Sequence, residues 1–188
     1  MRSVVVATLL AGCALTKQSE PVDIRYYTPA VATDAPASSH ETARARVRLG
    51  RVTASSHLRY SIAQRRSPVE LELYEFDRWT DTPDVYARRS LERALFQERP
   101  IEQATSGAAF TVDVDVIAFE EVASPHAGRV QLRYRLRDEH SVIATDVITV
   151  VRASRGARLA DVAAAIGEAL DAATAQIAGR VLTTLSRR

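Results

Sequence analysis

The sequence predicts an α+β fold: a two-layer sandwich in which a mostly antiparallel sheet of about six strands carries two helices on one face. Three observations predict it. Apolar and polar residues alternate with period two in several separate runs. Two other stretches repeat apolar residues at three- and four-residue steps. The order is strands, a helix, strands, a helix, and the strands are joined by short connections, which favours antiparallel neighbours.

The strands follow in order. Val47, Leu49 and Val52 alternate with Arg46, Arg48 and Arg51, and Leu58, Tyr60 and Ile62 alternate with Arg59 and Ser61. A polar turn over Gln64 to Pro68 leads to Val69, Leu71 and Leu73, which alternate with Glu70, Glu72 and Tyr74. Thr82-Pro83-Asp84 then opens a helix. A hydroxyl suits the cap, proline at the first helical position loses no hydrogen bond, and Asp84 suits the positive end of the helix dipole. Ala87, Leu91, Ala94 and Leu95 give that helix its apolar stripe as far as about Gln97, and Pro100 ends it.

Strands resume with Phe110, Val112, Val114 and Val116, then Val130, Leu132, Tyr134 and Leu136. The run from Val142 to Val151 is almost continuously apolar, which predicts a central strand. From Arg158 to about Ser186, Leu159, Val162, Ile166, Leu170, Ala173, Ile177 and Val181 mark the longest helix, rich in alanine for close approach to the sheet.

The N-terminus, MRSVVVATLLAGCALT, follows a different logic. Arg2 supplies positive charge, Val4 to Leu10 a short apolar run, and Ala11-Gly12 small residues directly ahead of Cys13, the chain's one cysteine. Charge, apolar core and small residues at a cut are the layout of a secretory signal, although 12 residues is short for one, the usual range being about 15–30. The stretch resembles a bacterial lipobox. The resemblance implies diacylglyceryl thioether formation at the Cys13 sulfur, cleavage before Cys13 and acylation of the new amine. At about 0.8 kcal/mol per buried CH₂, three acyl chains would hold the protein with on the order of 30 kcal/mol. Ala14, where lipoproteins retained at the inner membrane carry aspartate, implies the outer membrane. The expected organisation is a signal over 1–12, a lipidated N-terminus and Ala/Ser/Thr/Pro-rich tether over 13–43 with a short strand near 24–28, and one α+β domain over 44–188.

Other function classes find little support. A net charge of +2 over 188 residues does not argue for nucleic acid. No internal apolar run reaches the ~18 residues of a membrane-spanning helix. His40, His57, His126 and His140 do not fall at metal-ligand spacing, and no serine lies in a nucleophile elbow. Asp113 and Asp115 share a strand face and could form an acid–base pair. The plainer reading is a hairpin centred near Ser124, which sets Asp113 opposite Arg135 and Asp115 opposite Arg133. No enzyme activity, metal or cofactor is expected. Trp79, the single tryptophan, reads either as a core plug at a strand–helix corner or, with Arg78, as an anchor for a partner.

These features occur in a familiar order: the lipobox to Cys13, Tyr26-Tyr27-Thr28, then Arg78-Trp79-Thr80-Asp81-Thr82-Pro83, the helix, FTVDVDVIAFEE, LRYRLRD and the long alanine-rich helix. In that order they resemble the ABC-type transport auxiliary lipoproteins, the PqiC-like group. The family's tryptophan motif is similar to R-W-A-E-P; here one extra residue precedes the proline and Asp81 stands where glutamate is common. The resemblance implies a lipid-anchored accessory of a Gram-negative bacterium at the outer membrane, facing the periplasm. Its implied partners are an MCE-domain periplasmic protein with its ABC permease and ATPase, in a system that moves lipids or other hydrophobic molecules between membranes. A homo-oligomer around the conduit is an arrangement it allows. The rival readings are a secreted lipoprotein enzyme and a stand-alone envelope structural or assembly lipoprotein.

Overall fold

A computed structural model describes residues 22–30 and 45–187. Cys13 and the remaining calls on the signal and tether therefore lie outside the described residues. The elements are β1 (Arg25–Tyr27), β2 (Ala45–Ala54), β3 (Ser61–Ser67), β4 (Glu70–Trp79), α1 (Pro83–Glu92), β5 (Ile101–Gln103), β6 (Phe110–Val122), β7 (Ala127–Arg137), β8 (Val142–Ala153) and α2 (Leu159–Ser186). A π-helical turn, Arg93–Gln97, extends α1 to the end that its apolar stripe predicts.

The fold is the expected α+β sandwich, with eight strands in one mixed sheet. The two longest ladders, β6/β7 and β7/β8, are antiparallel, as is β3/β4. β6 is the spine. β7 lines one side of it, and along its other side lie β2 and then β3, both parallel to it. β2 carries β5, and β3 carries β4 and then β1. The sequence count omits the short β5, and the aromatic island near 24–28 folds as β1, parallel to β4.

Both helices cover the same face. α2 packs on β7 and β8, α1 on β2 and β6, and the helices touch each other. Val112, Val114, Val116, Leu132, Leu136 and Ile148 from the sheet meet Ile166, Leu170 and Ile177 from α2, all nearly or fully buried. Each such aliphatic side chain contributes roughly 1.5–3 kcal/mol by leaving water. Gly128 on β7 sits directly beneath α2, where a Cβ would overlap the backbone of Ala165 and Ile166. That missing side chain lets the helix lie close to the sheet. Between the helices, Ser90 bonds Thr174 at 2.8 Å, and Asp171 accepts from Ser90 at 3.0 Å and from Arg93 at 2.5 Å.

Two expectations are corrected. β3 runs Ser61–Ser67, so Gln64 to Ser67, expected as a turn, are strand, and the turn falls at Pro68 and Val69. Among the described residues β8 pairs with β7 alone and is an edge strand, not a central one. Its inner residues Ile148 and Val150 are buried under α2, while Val142, Val147 and Val151 are 58%, 41% and 49% exposed. An apolar run says that both faces are apolar; it does not say that both edges are paired.

Candidate functional site: the tryptophan corner and the charged outer face

Two short motifs, far apart in sequence, meet at one corner. Tyr26 and Tyr27 of β1 lie opposite Arg78 and Trp79 of β4. Thr80 donates its N–H to the Tyr27 carbonyl at 3.0 Å, and the Thr28 and Thr80 hydroxyls are 2.9 Å apart. Arg25 grips the buried Asp77 through Nε at 2.8 Å and a terminal nitrogen at 3.0 Å. Beyond β1, the chain crosses α2 where Gly167 has no side chain to block the backbone of Ala30. The segment over residues 25–30 is thus fastened to the rest of the domain at both a strand and a helix.

Each residue of the tryptophan motif has its own task. Trp79 is fully buried, edge-on to Phe119 at 5.3 Å and to Tyr86 at 6.3 Å. The Tyr86 hydroxyl meets the Thr80 hydroxyl at 2.7 Å and accepts the Asp81 N–H at 2.9 Å, which turns the chain from β4 into α1. Thr82 is the N-cap and Pro83 the first helical residue, as expected, but capping here is by backbone: the Thr82 carbonyl accepts from Val85 and Tyr86 while its hydroxyl makes no cap bond. Arg78 donates to the carbonyls of Tyr74, Glu75 and Asp77 at 2.7–3.0 Å, stapling the bulge that interrupts β4 opposite β3. With no exposed surface, Trp79 holds the corner from inside. What the corner presents to solvent is Tyr26 of β1 (64% exposed), opposite Arg78, with Leu73 (50%) and Phe76 (40%) of β4.

The outer sheet face, opposite the helices, is charged. The β6–β7 hairpin has the expected register, Asp113 opposite Arg135 and Asp115 opposite Arg133. The ion pairs, however, run on the diagonal: Arg137 reaches Asp113 at 2.9 Å and Arg135 approaches Asp115 at 3.8 Å. Long side chains on a twisted ladder reach diagonal neighbours. Asp113 also accepts the Arg51 N–H at 2.8 Å, at the irregularity of β2 between Leu49 and Val52, and Asp115 accepts from Thr53 at 2.8 Å. These groups line a cleft of about 460 Å³ with Arg48 and the loops at Gly107 and Asp138.

Burial opposes the charge on Asp113, but hydrogen bonds from Arg137 and the Arg51 N–H, with the nearby guanidinium charges, outweigh it and hold the carboxyl below the usual range. The stability it contributes is therefore complete above the unfolded carboxyl value of about 3.9 and is lost as pH falls through the lower folded value. We expect Asp113→Asn to lower stability at pH 7 by about 1–3 kcal/mol, as for a broken charged hydrogen bond. Urea midpoints of the two proteins should converge in strong acid; a gap that stays constant with pH would contradict this.

A second polar cluster escaped the sequence reading. Glu120 and Glu121 are consecutive and both buried. Glu120, on the outer face, is bound by Arg65 at 3.0 Å and Arg129 at 2.7 Å. Glu121 accepts from Tyr74 at 2.5 Å and Gln64 at 2.9 Å and meets His126 Nδ1 at 2.6 Å. Burial, then the bond to Glu121, pushes the Tyr74 phenol up. The signal was present in the sequence: two adjacent glutamates in a strand cannot both face the same side. Among the described residues, no group of His, Cys, Asp and Glu side chains is arranged to hold a metal ion, and no helix is long and apolar enough to cross a membrane.

The protein XCC0632 of Xanthomonas campestris has a similar structure, with a TM-score of 0.73 and 25% identity over 86% of this chain and 97% of that one. An uncharacterized protein superposes with a TM-score of 0.69 at 13% identity over 85% and 99% of the two chains. The hypothetical protein CT253 of Chlamydia trachomatis does so at 0.51 and 10% identity over 77% and 99%. The last two share the fold alone. No curated protein sequence matches the chain. Residues 27–178 match the family described as the ABC-type transport auxiliary lipoprotein component, from the second tyrosine of β1 to the last third of α2. The chain belongs to the ABC-type transport auxiliary lipoprotein family.

Proposed function

We propose that this protein is the lipid-anchored accessory of an MCE-containing intermembrane transport system, attached through Cys13 to the outer membrane and docked on the periplasmic MCE partner. The observation that carries the reading is the family match over residues 27–178, taken with a cysteine directly behind an apolar N-terminal run. The fold supports a mechanical role. Because β1 is paired to β4, the link from Cys13 to the folded domain is residues 14–24, which at about 3.3–3.6 Å per residue span at most roughly 40 Å. The anchor thus reaches the domain at the tryptophan corner, and a load between membrane and partner would enter there.

The same corner offers partner chemistry. Exposed Tyr26 and Phe76 beside Arg78 are the residue types enriched at binding hot spots. In this reading the buried Trp79 keeps the corner rigid, and the exposed aromatics make the contact.

The test is a mild-detergent pull-down of the tagged protein from native membranes, read by mass spectrometry. Recovery of an MCE-domain protein with its permease and ATPase is the expected result. Recovery alone, or with an unrelated envelope assembly, would move the function to a structural or assembly lipoprotein. Tyr26→Glu with Phe76→Glu should reduce recovery of the partner by at least about tenfold, the order of a lost hot-spot residue, without moving the melting midpoint. Undiminished recovery would remove the corner from the interface.

A further inference from the structure

A cleft of about 510 Å³ lies where the loop after the π-helical turn, the C-terminal third of α2 and the floor of the sheet meet. That volume is in the range of small-ligand sites, about 300–1,000 Å³. Arg99 enters from the loop, Gln176, Gly179 and Arg180 from α2, and Tyr134 from β7 below. Arg99 is partly buried, yet among the described residues its guanidinium has no hydrogen-bond or ion-pair partner. It lies over α2 at Gly179, where a Cβ would stand 3.9 Å from Arg99 Nη2. Tyr134 is 3% exposed, and its hydroxyl is likewise without a partner among the described residues. Burial pushes that phenol above its ordinary value, against a smaller opposing effect of Arg180, so it keeps its proton.

The chemistry of the cleft is one-sided. Arg180 is held by Asp146, which leaves Arg99 as the uncompensated charge. Among the described residues, no carboxylate lines the cleft. The hydroxyls of Thr183 and Thr184 donate to carbonyls of their own helix, Gly179 at 2.9 Å and Arg180 at 2.8 Å, and have no proton to offer a ligand. What remains is a set of donors: the Arg99 fork, the Tyr134 O–H and the Gln176 amide, which makes no bond among the described residues. A cation drawn partly out of water without a counter-charge costs free energy, and a bound anion would remove that cost.

We propose that this cleft binds the phosphate group of a small organic phosphate ester. The planar guanidinium of Arg99 matches two oxygens of one oxyanion. The donors converge from a loop, a helix and the sheet floor, so they do not share a plane. A carboxylate accepts best near its own plane. The oxygens of a phosphate point to the corners of a tetrahedron and can meet all three directions. The cleft is also larger than a bare ion needs, and Leu182 gives it an apolar wall for the organic part of the ester. A soluble ester and a lipid headgroup carry the same phosphate chemistry, and the experiment separates them. The site does not depend on the transport reading.

The test is calorimetric titration of the full chain carrying Cys13→Ser with glycerol 3-phosphate, and with glycerate as the matching carboxylate. A second arm sediments the same protein with phosphatidylcholine vesicles with and without phosphatidylglycerol. Saturable binding of glycerol 3-phosphate, about tenfold or more tighter than glycerate, is expected. Arg99→Gln should weaken it by about tenfold or more, the order of a lost charge-assisted hydrogen bond, without moving the melting midpoint, because Arg99 holds no partner to lose. Gly179→Glu places a carboxylate beside Arg99 and should block the site. Its Cβ makes an ordinary contact there, and glutamate is the better helix former. Sedimentation with phosphatidylglycerol vesicles without binding in solution, lost in Arg99→Gln, would assign the phosphate to a lipid headgroup and support the site. Failure of both probes to bind, binding indifferent to Arg99→Gln and Gly179→Glu, or equal affinity for glycerate would each overturn the proposal.

Discussion

Trp79→Ala is expected to lower the unfolding free energy by about 3–5 kcal/mol, the range for removing a large aromatic from a packed core. The side chain has no exposed surface and meets Phe119 and Tyr86 edge-on, while Tyr86 and Phe119 stack on one another at 6.2 Å. Deleting the indole therefore removes two ring contacts and loosens the third. The loss also propagates, because the Tyr86 hydroxyl organises Thr80 and Asp81 at the start of α1. For a domain of this size, each 1 kcal/mol moves the melting midpoint by roughly 2–4 °C, so the fall should be on the order of 10 °C. Trp79→Phe should cost clearly less. It keeps a ring in place and removes the indole Nε1–H, which finds no acceptor among the described residues. An alanine variant that melts like the native protein would contradict the corner's assigned role. Partner recovery from the alanine variant, measured well below its midpoint, should be impaired less than from the Tyr26 and Phe76 variants.

The corner shows how far a sequence motif can be read. Thr82-Pro83-Asp84 announces a helix start because cap, proline and dipole are local effects, and α1 begins at Pro83. The β6–β7 pairing came out as expected, Asp113 opposite Arg135 and Asp115 opposite Arg133, but the turn alone does not dictate it: a bulge between Val116 and Ala118 shifts the ladder by one residue. The choice of diagonal partner was not legible, because it depends on strand twist and on how far each arginine reaches. Non-local pairings were illegible for a different reason. The alternation in β2 reports which face is wet; it carries no information about its parallel neighbour β6, some sixty residues on. β8 is the same case at an edge: its apolar run concealed an unpaired side, and the exposed Val147 and Val151 appear only when the neighbours are known. At the tryptophan corner, the sequence offered two readings for Trp79 and could not choose between them. The contacts with Phe119, on a strand forty residues later, are what settle the side chain inside.

Glu120 marks the second large effect, and here the outcome depends on which partner is removed. Its carboxylate is wholly buried, while Arg65 and Arg129 keep about a quarter of their side-chain surface exposed. Losing one arginine leaves the other in place, so Arg65→Met or Arg129→Met alone should be tolerated with a modest loss. Losing both strands a buried carboxylate without a cation, and the double variant should be destabilised by about 3–5 kcal/mol, more than the sum of the singles. Adding Glu120→Leu removes the stranded charge and should recover much of the loss, because a buried ion group replaced by apolar residues of similar volume is often neutral. Denaturant midpoints of the full series check this. If the losses were additive and the third substitution made matters worse, the triad would be acting through packing of the long side chains, not through charge. The stake is structural: Glu120 joins β3, β6 and β7 where β3 hands over to β4, the strand that ends at Trp79. Failure of this charge cluster should therefore also loosen the corner to which β1 and the N-terminal segment are fastened.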